Sequence, residues 1–549
     1  MFMCFKFFLL VEGASRQQDY PTADTALGRV KGHYKYSYHK RIYSAFEGLP
    51  YAKPPVGDLR FEEPQDAEPW NGVLEATKLY ECVQNIFSSP VFGEEDCLYI
   101  NVYVPRTNPL PNEKLDVFVH IHGGAFIFGG PLVAGSRYMM DRDIIYINFN
   151  YRLGIFGFLS TGDEALPGNI GLKDQVFALK WIQKNIKYFG GNPNSVTLLG
   201  LSSGSACAHF HYFSPLSKGL FHRAVLQSGT AVSTWSVQLE PLKQAIALGK
   251  AVDCNNSTSK ELANCLKSKS TSDLYKQIQV FYSILIYPLS AIAPVIEKKS
   301  STAFLTEHPY ILLKKGEINK VPILTSSTTD EGIIGLRHLN NDLNLFIDNY
   351  DYILPYLLDY YNKIKEDDKP IISEKIKDFY FENGITTKSF IRLVGDRTFK
   401  VPLDIGVRMH AKIKETPIYI YIFAYESSFR SQNWHGIEYE GVDHAEDGYL
   451  LYDISLGDLL VVPEKLSDSD VVIKDILLHM LVSFARDGAP KYNDINWTSV
   501  KEDGEIDYLF IKSPDSITMK STKEFAPTSF WSSLPIKEFD KLIDVKEEL

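Results

Sequence analysis

The sequence predicts an α/β fold in which a large, mostly parallel central sheet is flanked by helices. Three observations predict it. Apolar runs of strand length end at glycine or polar turn residues. Segments of helical periodicity separate them. No internal repeat, low-complexity tract or Pro/Ser-rich linker interrupts the 549 residues. Strand and helix in alternation imply parallel strands with the working loops at their carboxyl ends. One domain is therefore expected over residues 15–549, behind a short leader at residues 1–14.

Taken in order, LDVFVHIHGG (Leu115 to Gly124) is an apolar strand ending in glycines, and RDIIYINFNYR from Arg142 is another. GLKDQVFALKWIQKNIKYFGG places Val176, Leu179, Ile182 and Ile186 at helical spacing and stops at Gly190 and Gly191, a C-cap signal. SVTLLG from Ser195, HRAVLQSG from His222 and KVPILTSST from Lys320 read as further strands.

Composition bounds the function. The net charge is −11 and no Lys/Arg-rich run occurs, which argues against nucleic acid and anionic membrane surfaces as partners. Met1 to Val11 is apolar apart from Lys6, and Gly13, Ala14 and Ser15 follow. This reads as a secretory signal, or otherwise as a buried first strand. No later apolar run is long enough to span a bilayer, so no transmembrane segment is expected. Cys4 falls in the leader. Cys82 with Cys97, and Cys254 with Cys265, are short-range neighbours. Two such pairs would leave Cys207 a buried thiol, whereas six reduced cysteines would fit a cytosolic chain. Asn255, Asn256 and Asn496 open N-x-S/T sequons, candidate glycosylation sites. The last residues, Lys546 to Leu549 (KEEL), resemble a retrieval signal read by a receptor in the ER lumen, and read equally as a charged helix end.

The chemistry concentrates at GLSSG, Gly200 to Gly204, which follows a strand and opens a helix. That is the setting of a nucleophile elbow. The turn is so tight that its neighbours must lack bulk, and the middle residue, Ser202, is held out above the sheet. Ser203 begins the helix, where its N–H can point at an oxyanion. HGGAF supplies a second small-residue loop after a strand, with Gly124 and Ala125 as further N–H donors. His122 lies upstream of that loop and reads as structural. A serine needs a base, and the base an orienting acid. His444 in EGVDHAEDGYL is the best base candidate, with His435 its competitor; Glu331 and Asp330 in TTDEG are candidate acids. The order Ser202, Glu331, His444 is that of an α/β-hydrolase. This chemistry calls for no metal and no cofactor.

From about residue 25 to 535 the sequence resembles the type-B carboxylesterase/cholinesterase family. AFEGLPYAKPPVGDLRF, EDCLYINVYVP, HGGAF, NYRLGIFGFLS, FGGNPNSVTLLGLSSG, LFHRAVLQSGT and FWSSLP carry the resemblance. HGGAF, GLS, FSPLSKGLF and GTA look most like insect α-esterases. The resemblance implies the α/β-hydrolase fold, with Ser202 as nucleophile, Glu331 as acid and His444 as base. It also implies Cys82–Cys97 and Cys254–Cys265 disulfides.

Departures narrow the expected substrate. Relatives commonly carry Glu before the nucleophile, where this chain has Leu201; juvenile hormone esterases typically have Gln there. Ser203 and Ser205 replace smaller residues, and Ser205 is expected to act as a local helix cap. Cholinesterases hold a tryptophan in the first cysteine loop that stacks on the quaternary ammonium; CVQNIFSSPVFGEEDC has none. The resemblance therefore implies a broad-range carboxylesterase of the secretory pathway. It would act on small uncharged esters through an acyl-enzyme, with xenobiotics among its substrates and organophosphates trapped at Ser202. The alternatives are a lipase, or a non-catalytic adhesion or sequestering relative. The latter lack the nucleophile that this chain keeps.

Overall fold

The alternating apolar runs build one eleven-stranded sheet. The computed structural model describes residues 20–85, 90–254, 258–429, 439, 441–454 and 463–542. The strands are β1 (His33–Tyr36), β2 (Ile42–Pro50), β3 (Tyr99–Val104), β4 (Leu115–Ile121), β5 (Ile145–Phe149), β6 (Gly191–Leu201), β7 (Arg223–Gln227), β8 (Ile323–Thr328), β9 (Ile418–Phe423), β10 (Ile506–Ser513) and β11 (Ser516–Thr522). Their spatial order is β11-β10-β9-β8-β7-β6-β4-β5-β3-β2-β1. All neighbours from β5 through β4, β6, β7, β8 and β9 to β10 are parallel, and the outer pairs are antiparallel. A separate three-stranded sheet joins Thr22–Asp24, Arg29–Lys31 and Val73–Glu75.

The sequence explains which strands sit in the middle. Every residue of β5 and β8 is buried, the mark of parallel strands covered on both faces. Alternate side chains enter different cores. Val117, Val119 and Ile121 of β4 join one apolar cluster while Phe118 joins another; Ala224 and Leu226 of β7 part from Val225 in the same way. The edge strand β11 is polar and carries Lys520, which discourages pairing with another chain.

Helix α1 (Ile170–Asn185) covers the sheet and passes through one 3-10 turn to Gly190, whose φ of +87° ends it at the glycine pair. Helix α2 (Ser203–Phe213) starts directly after β6. Helix α3 (Ile333–His338) follows β8. Helix α4 (Thr387–Gly395) runs into α5 (Val401–Ala411) through a π turn at Asp396–Lys400. Helix α6 (Glu446–Tyr452) follows β9 after an intervening loop. Disulfides join Cys82 to Cys97 and Cys254 to Cys265, and Cys207 is a buried free thiol. Asn496 is exposed. The leader at 1–14, Asn255, Asn256, His435 and KEEL lie outside the described residues. Among the described residues no helix is long and apolar enough to cross a membrane.

Candidate active site

The loops at the carboxyl ends of β4, β6 and β8 meet where the topology of a parallel sheet directs ligands. At the end of β6, Ser202 sits at φ +59°, ψ −124°, outside the regions side chains favour. Such backbone costs on the order of 1–3 kcal/mol and persists only where the surroundings enforce it. Here they do. The Ser202 N–H donates to the Gln227 carbonyl at 2.8 Å, and its own carbonyl accepts from Ala206 at 3.1 Å. A Cβ on Gly200 would lie 2.4 Å from the Gly204 carbonyl oxygen, and one on Gly204 2.1 Å from that of Ile121. The motif glycines are thus required by contact between β6, α2 and β4.

The loop after β4 folds against this elbow. Gly124 (φ +109°), Ala125 (+52°) and Phe126 (+64°) take left-handed backbone in succession. Among the described residues no hydrogen bond takes the N–H of Gly124, Ala125 or Ser203. Ser203 is buried, and its Oγ accepts the Phe126 N–H at 3.3 Å, tying the helix start to the loop. His122 is structural, as its position suggests. It stacks on Tyr151 at 4.3 Å, its Nδ1 meets the Gly123 carbonyl at 2.9 Å, and burial lowers its pKa to about 4. Ser205 does not cap the helix; its Oγ donates to the Gly229 carbonyl at 2.6 Å, because its rotamer faces the next strand's loop rather than the free N–H groups.

Of the two candidate acids, Glu331 meets the histidine. His444 Nδ1 lies 2.6 Å from Glu331 Oε2. Glu331 Oε1 accepts from Ser228 Oγ (2.6 Å), Ser327 Oγ (2.9 Å) and the Thr328 N–H (2.8 Å). Burial alone would raise the Glu331 pKa, but the His444 interaction and these donors outweigh it and hold the carboxyl below its usual value. An ionised Glu331 requires the proton on His444 Nδ1, so in the neutral ring Nε2 is the lone-pair acceptor; Nε2 is buried and has no partner among the described residues. Asp330 has a different task. Its carboxylate accepts from the Val442 N–H at 3.2 Å and from the Tyr439 hydroxyl at 3.3 Å, bracing the loop that carries His444.

Ser202, His444, Gly123, Gly124 and Ala125 line one cavity of about 160 Å³, together with apolar residues including Leu201, Trp235, Ile286, Leu289 and Phe399. Sequence reasoning missed three supports of this cavity. Phe399, presented by the π turn, stands 4.6 Å from the His444 ring, and the Thr398 carbonyl in the same turn accepts from Trp235 Nε1 at 3.0 Å. Arg337 pairs with Asp443 at 2.9 Å, beside His444. Asp447 Oδ2 accepts from Gln227 Nε2 (2.8 Å), Ser326 Oγ (2.9 Å) and the Tyr421 hydroxyl (2.8 Å), so one buried carboxylate joins β7, β8, β9 and α6. Burial raises the Asp447 pKa, partly offset by these donors. EGVDHAEDGYL contains Asp443 and Asp447, but their partners lie so far away along the chain that no local signal reveals the pairing.

Three comparisons bear on this geometry. Residues 19–531 match the model of the Carboxylesterase family. The chain is 35% identical over 551 residues to venom carboxylesterase-6 of Apis mellifera, covering 97% of each chain. It is 35% identical to juvenile hormone esterase of Tribolium castaneum, covering 88% of this chain and 86% of that one. The crystal structure of juvenile hormone esterase from Manduca sexta, with OTFP covalently attached, superposes with a TM-score of 0.84 at 26% identity, over 94% of this chain and 99% of that one.

Proposed function

The chain belongs to the carboxylesterase family and hydrolyses carboxylic esters; on that premise we propose that Ser202, His444 and Glu331 carry the reaction through an acyl-enzyme on small, uncharged esters. One observation carries this reading. The His444 ring is fixed by Glu331 through Nδ1 with Nε2 left free, in the same cavity as a serine held in strained backbone at an elbow.

The steps follow from the roles. Ser202 Oγ attacks the ester carbonyl while His444 Nε2 takes its proton. The carbonyl oxygen becomes an oxyanion held by the N–H groups of Gly124, Ala125 and Ser203, each worth about 2.7–4 kcal/mol in such settings. The C–O bond to the alcohol breaks as His444 returns the proton to the leaving oxygen. Water, deprotonated by His444, then attacks the acyl carbon and releases the acid and Ser202. Glu331 orients the imidazole and stabilises its cation without taking the proton.

The apolar lining favours uncharged acyl and alcohol groups, and Leu201 removes the carboxylate that many relatives place beside the nucleophile. An organophosphate would phosphorylate Ser202 with loss of its leaving group, and the adduct would persist. The relative named as a venom carboxylesterase supports a secreted setting, as does the pair of disulfides. The test is turnover of 1-naphthyl acetate by variants. Ser202→Ala and His444→Ala are expected to lose about 10⁶-fold in kcat, and Glu331→Gln about 10⁴-fold. Loss in His435→Ala with His444→Ala spared would overturn the assignment of the base.

A further inference from the structure

The loop proposed to hold the oxyanion is gripped from outside the site, by a side chain that belongs to the first disulfide loop. Gln84 is 1% exposed and lies two residues after Cys82. Its Oε1 accepts the Gly129 N–H at 2.7 Å, and its Nε2 donates to the Gly129 carbonyl at 2.9 Å. One side-chain amide thus takes both polar groups of one backbone residue. Nε2 also reaches the Cys82 carbonyl at 3.1 Å and Glu81 Oε2 at 3.2 Å. Gln84 is itself fixed, because its backbone exchanges two hydrogen bonds with Phe92, at 3.0 and 2.9 Å, inside the loop that the Cys82–Cys97 disulfide closes. Glu81 adds a second hold, with Oε1 accepting the Leu132 N–H at 3.2 Å.

Gly129 is the point where the HGGAFIFGG loop returns to its own start. It sits at φ +117°, and a Cβ there would lie 2.3 Å from His122 Nδ1 and 2.5 Å from the Gly123 carbonyl oxygen. Between the two ends, the Gly124 carbonyl accepts from Ile127 at 2.9 Å and Phe128 at 3.0 Å. The span from Gly123 to Gly129 is therefore a small closed turn. Gly124 and Ala125 line the cavity beside Ser202, and the turn's closing residue is locked by Gln84. Three consecutive left-handed residues, two of them non-glycine, do not hold such a turn by local preference. An external clamp accounts for it.

We propose that Gln84 is a positioning residue for the oxyanion hole: its paired hydrogen bonds to Gly129 set the turn whose N–H groups receive the negative oxygen, and so couple the Cys82–Cys97 loop to turnover. The inference rests on the reading that Gly124, Ala125 and Ser203 are the oxyanion donors. Donors aimed at the transition state act on kcat, whereas a wall of the pocket acts on KM.

The test uses the full chain. Gln84→Met keeps the volume and removes both hydrogen bonds. Gln84→Glu keeps the acceptor for the Gly129 N–H but sets a carboxylate against the carbonyls of Gly129 and Cys82. For each, kcat and KM on 1-naphthyl acetate are measured per active site titrated with a fluorophosphonate, so that unfolded protein is not counted. The inhibition constant of an alkyl trifluoromethyl ketone, which forms an oxyanion on the serine, is measured in parallel. The expected result is a kcat lower by about 10- to 100-fold in both variants, less than or equal to the loss of one full donor. KM should stay within about threefold, and ketone affinity should fall in step with kcat/KM. Unchanged kcat per titrated site, a change confined to KM, or a lower kcat with undiminished ketone affinity would overturn the proposal. Ser202→Ala separates the two levels. If it retains turnover, the reading of the site fails; if it is inactive while both Gln84 variants match the parent, only the role of Gln84 fails.

Discussion

Ser203 shows how one hydroxyl can be an oddity in the sequence and a structural tie in the fold. Its Oγ accepts the buried Phe126 N–H. Ser203→Ala would leave that donor unpaired, a cost of about 1–3 kcal/mol, while keeping the residue's own N–H. The expected outcome is a lower melting temperature in a thermal scan, with kcat on a naphthyl ester changed less than about tenfold. The places of Ser202, Glu331 and His444 were legible because an elbow, an acid after a strand and a histidine in a polar loop each leave a local pattern. The choice between Asp330 and Glu331 was not legible from adjacent positions alone. Geometry separates them, since only Glu331 meets His444 while Asp330 holds the backbone of Val442.

At the scale of elements, β4 to β7 follow the apolar runs closely, because strands buried on both faces are largely apolar; β8 (ILTSST) buries four hydroxyl residues as well. The contact that makes the elbow is equally legible in its glycines. Gly204→Val would press side-chain atoms into the Ile121 carbonyl oxygen, already 2.1 Å from a Cβ at that position. Helix α2 must then move off β4. We expect Gly204→Val to lose both fluorophosphonate labelling and several kcal/mol of stability, read by denaturant unfolding. The π turn at Asp396–Lys400 was not legible. It has no composition of its own, and exists because tertiary contacts hold it: Arg397 within it is fully buried and pairs twice with Glu538, at 2.6 and 2.9 Å. That grip presents Phe399 to His444 from one side while Trp235 leans on the Thr398 carbonyl.

Across the whole molecule, buried histidines dominate the pH response. Burial lowers the pKa of His120, His211 and His410 to about 3 and of His122 and His308 to about 4, and puts His209 well below its ordinary 6.5. Each stays neutral in the fold but takes a proton in the unfolded chain once the pH drops below about 6.5, so stability falls as pH falls from there toward 3. Glu81 and Asp359 act oppositely. Burial raises them to about 7 and about 6, so their contribution is lost as pH rises through those values. Burial raises Asp396, Asp447 and Asp453 as well, but the six histidines still outnumber these five carboxyls, and the melting temperature is expected to decline from pH 6.5 to 4. A flat or rising profile over that range, in thermal unfolding followed by circular dichroism, would contradict this. None of these shifts was legible in the sequence, because a histidine's burial depends on which elements close over it.

If Ser202 is the nucleophile, a covalent label will find it. Folded protein is treated with a fluorophosphonate, digested and mapped by mass spectrometry. One adduct is expected, on Ser202, abolished by Ser202→Ala and slowed by His444→Ala. An adduct on Ser203, or folded protein that takes no label, would contradict this.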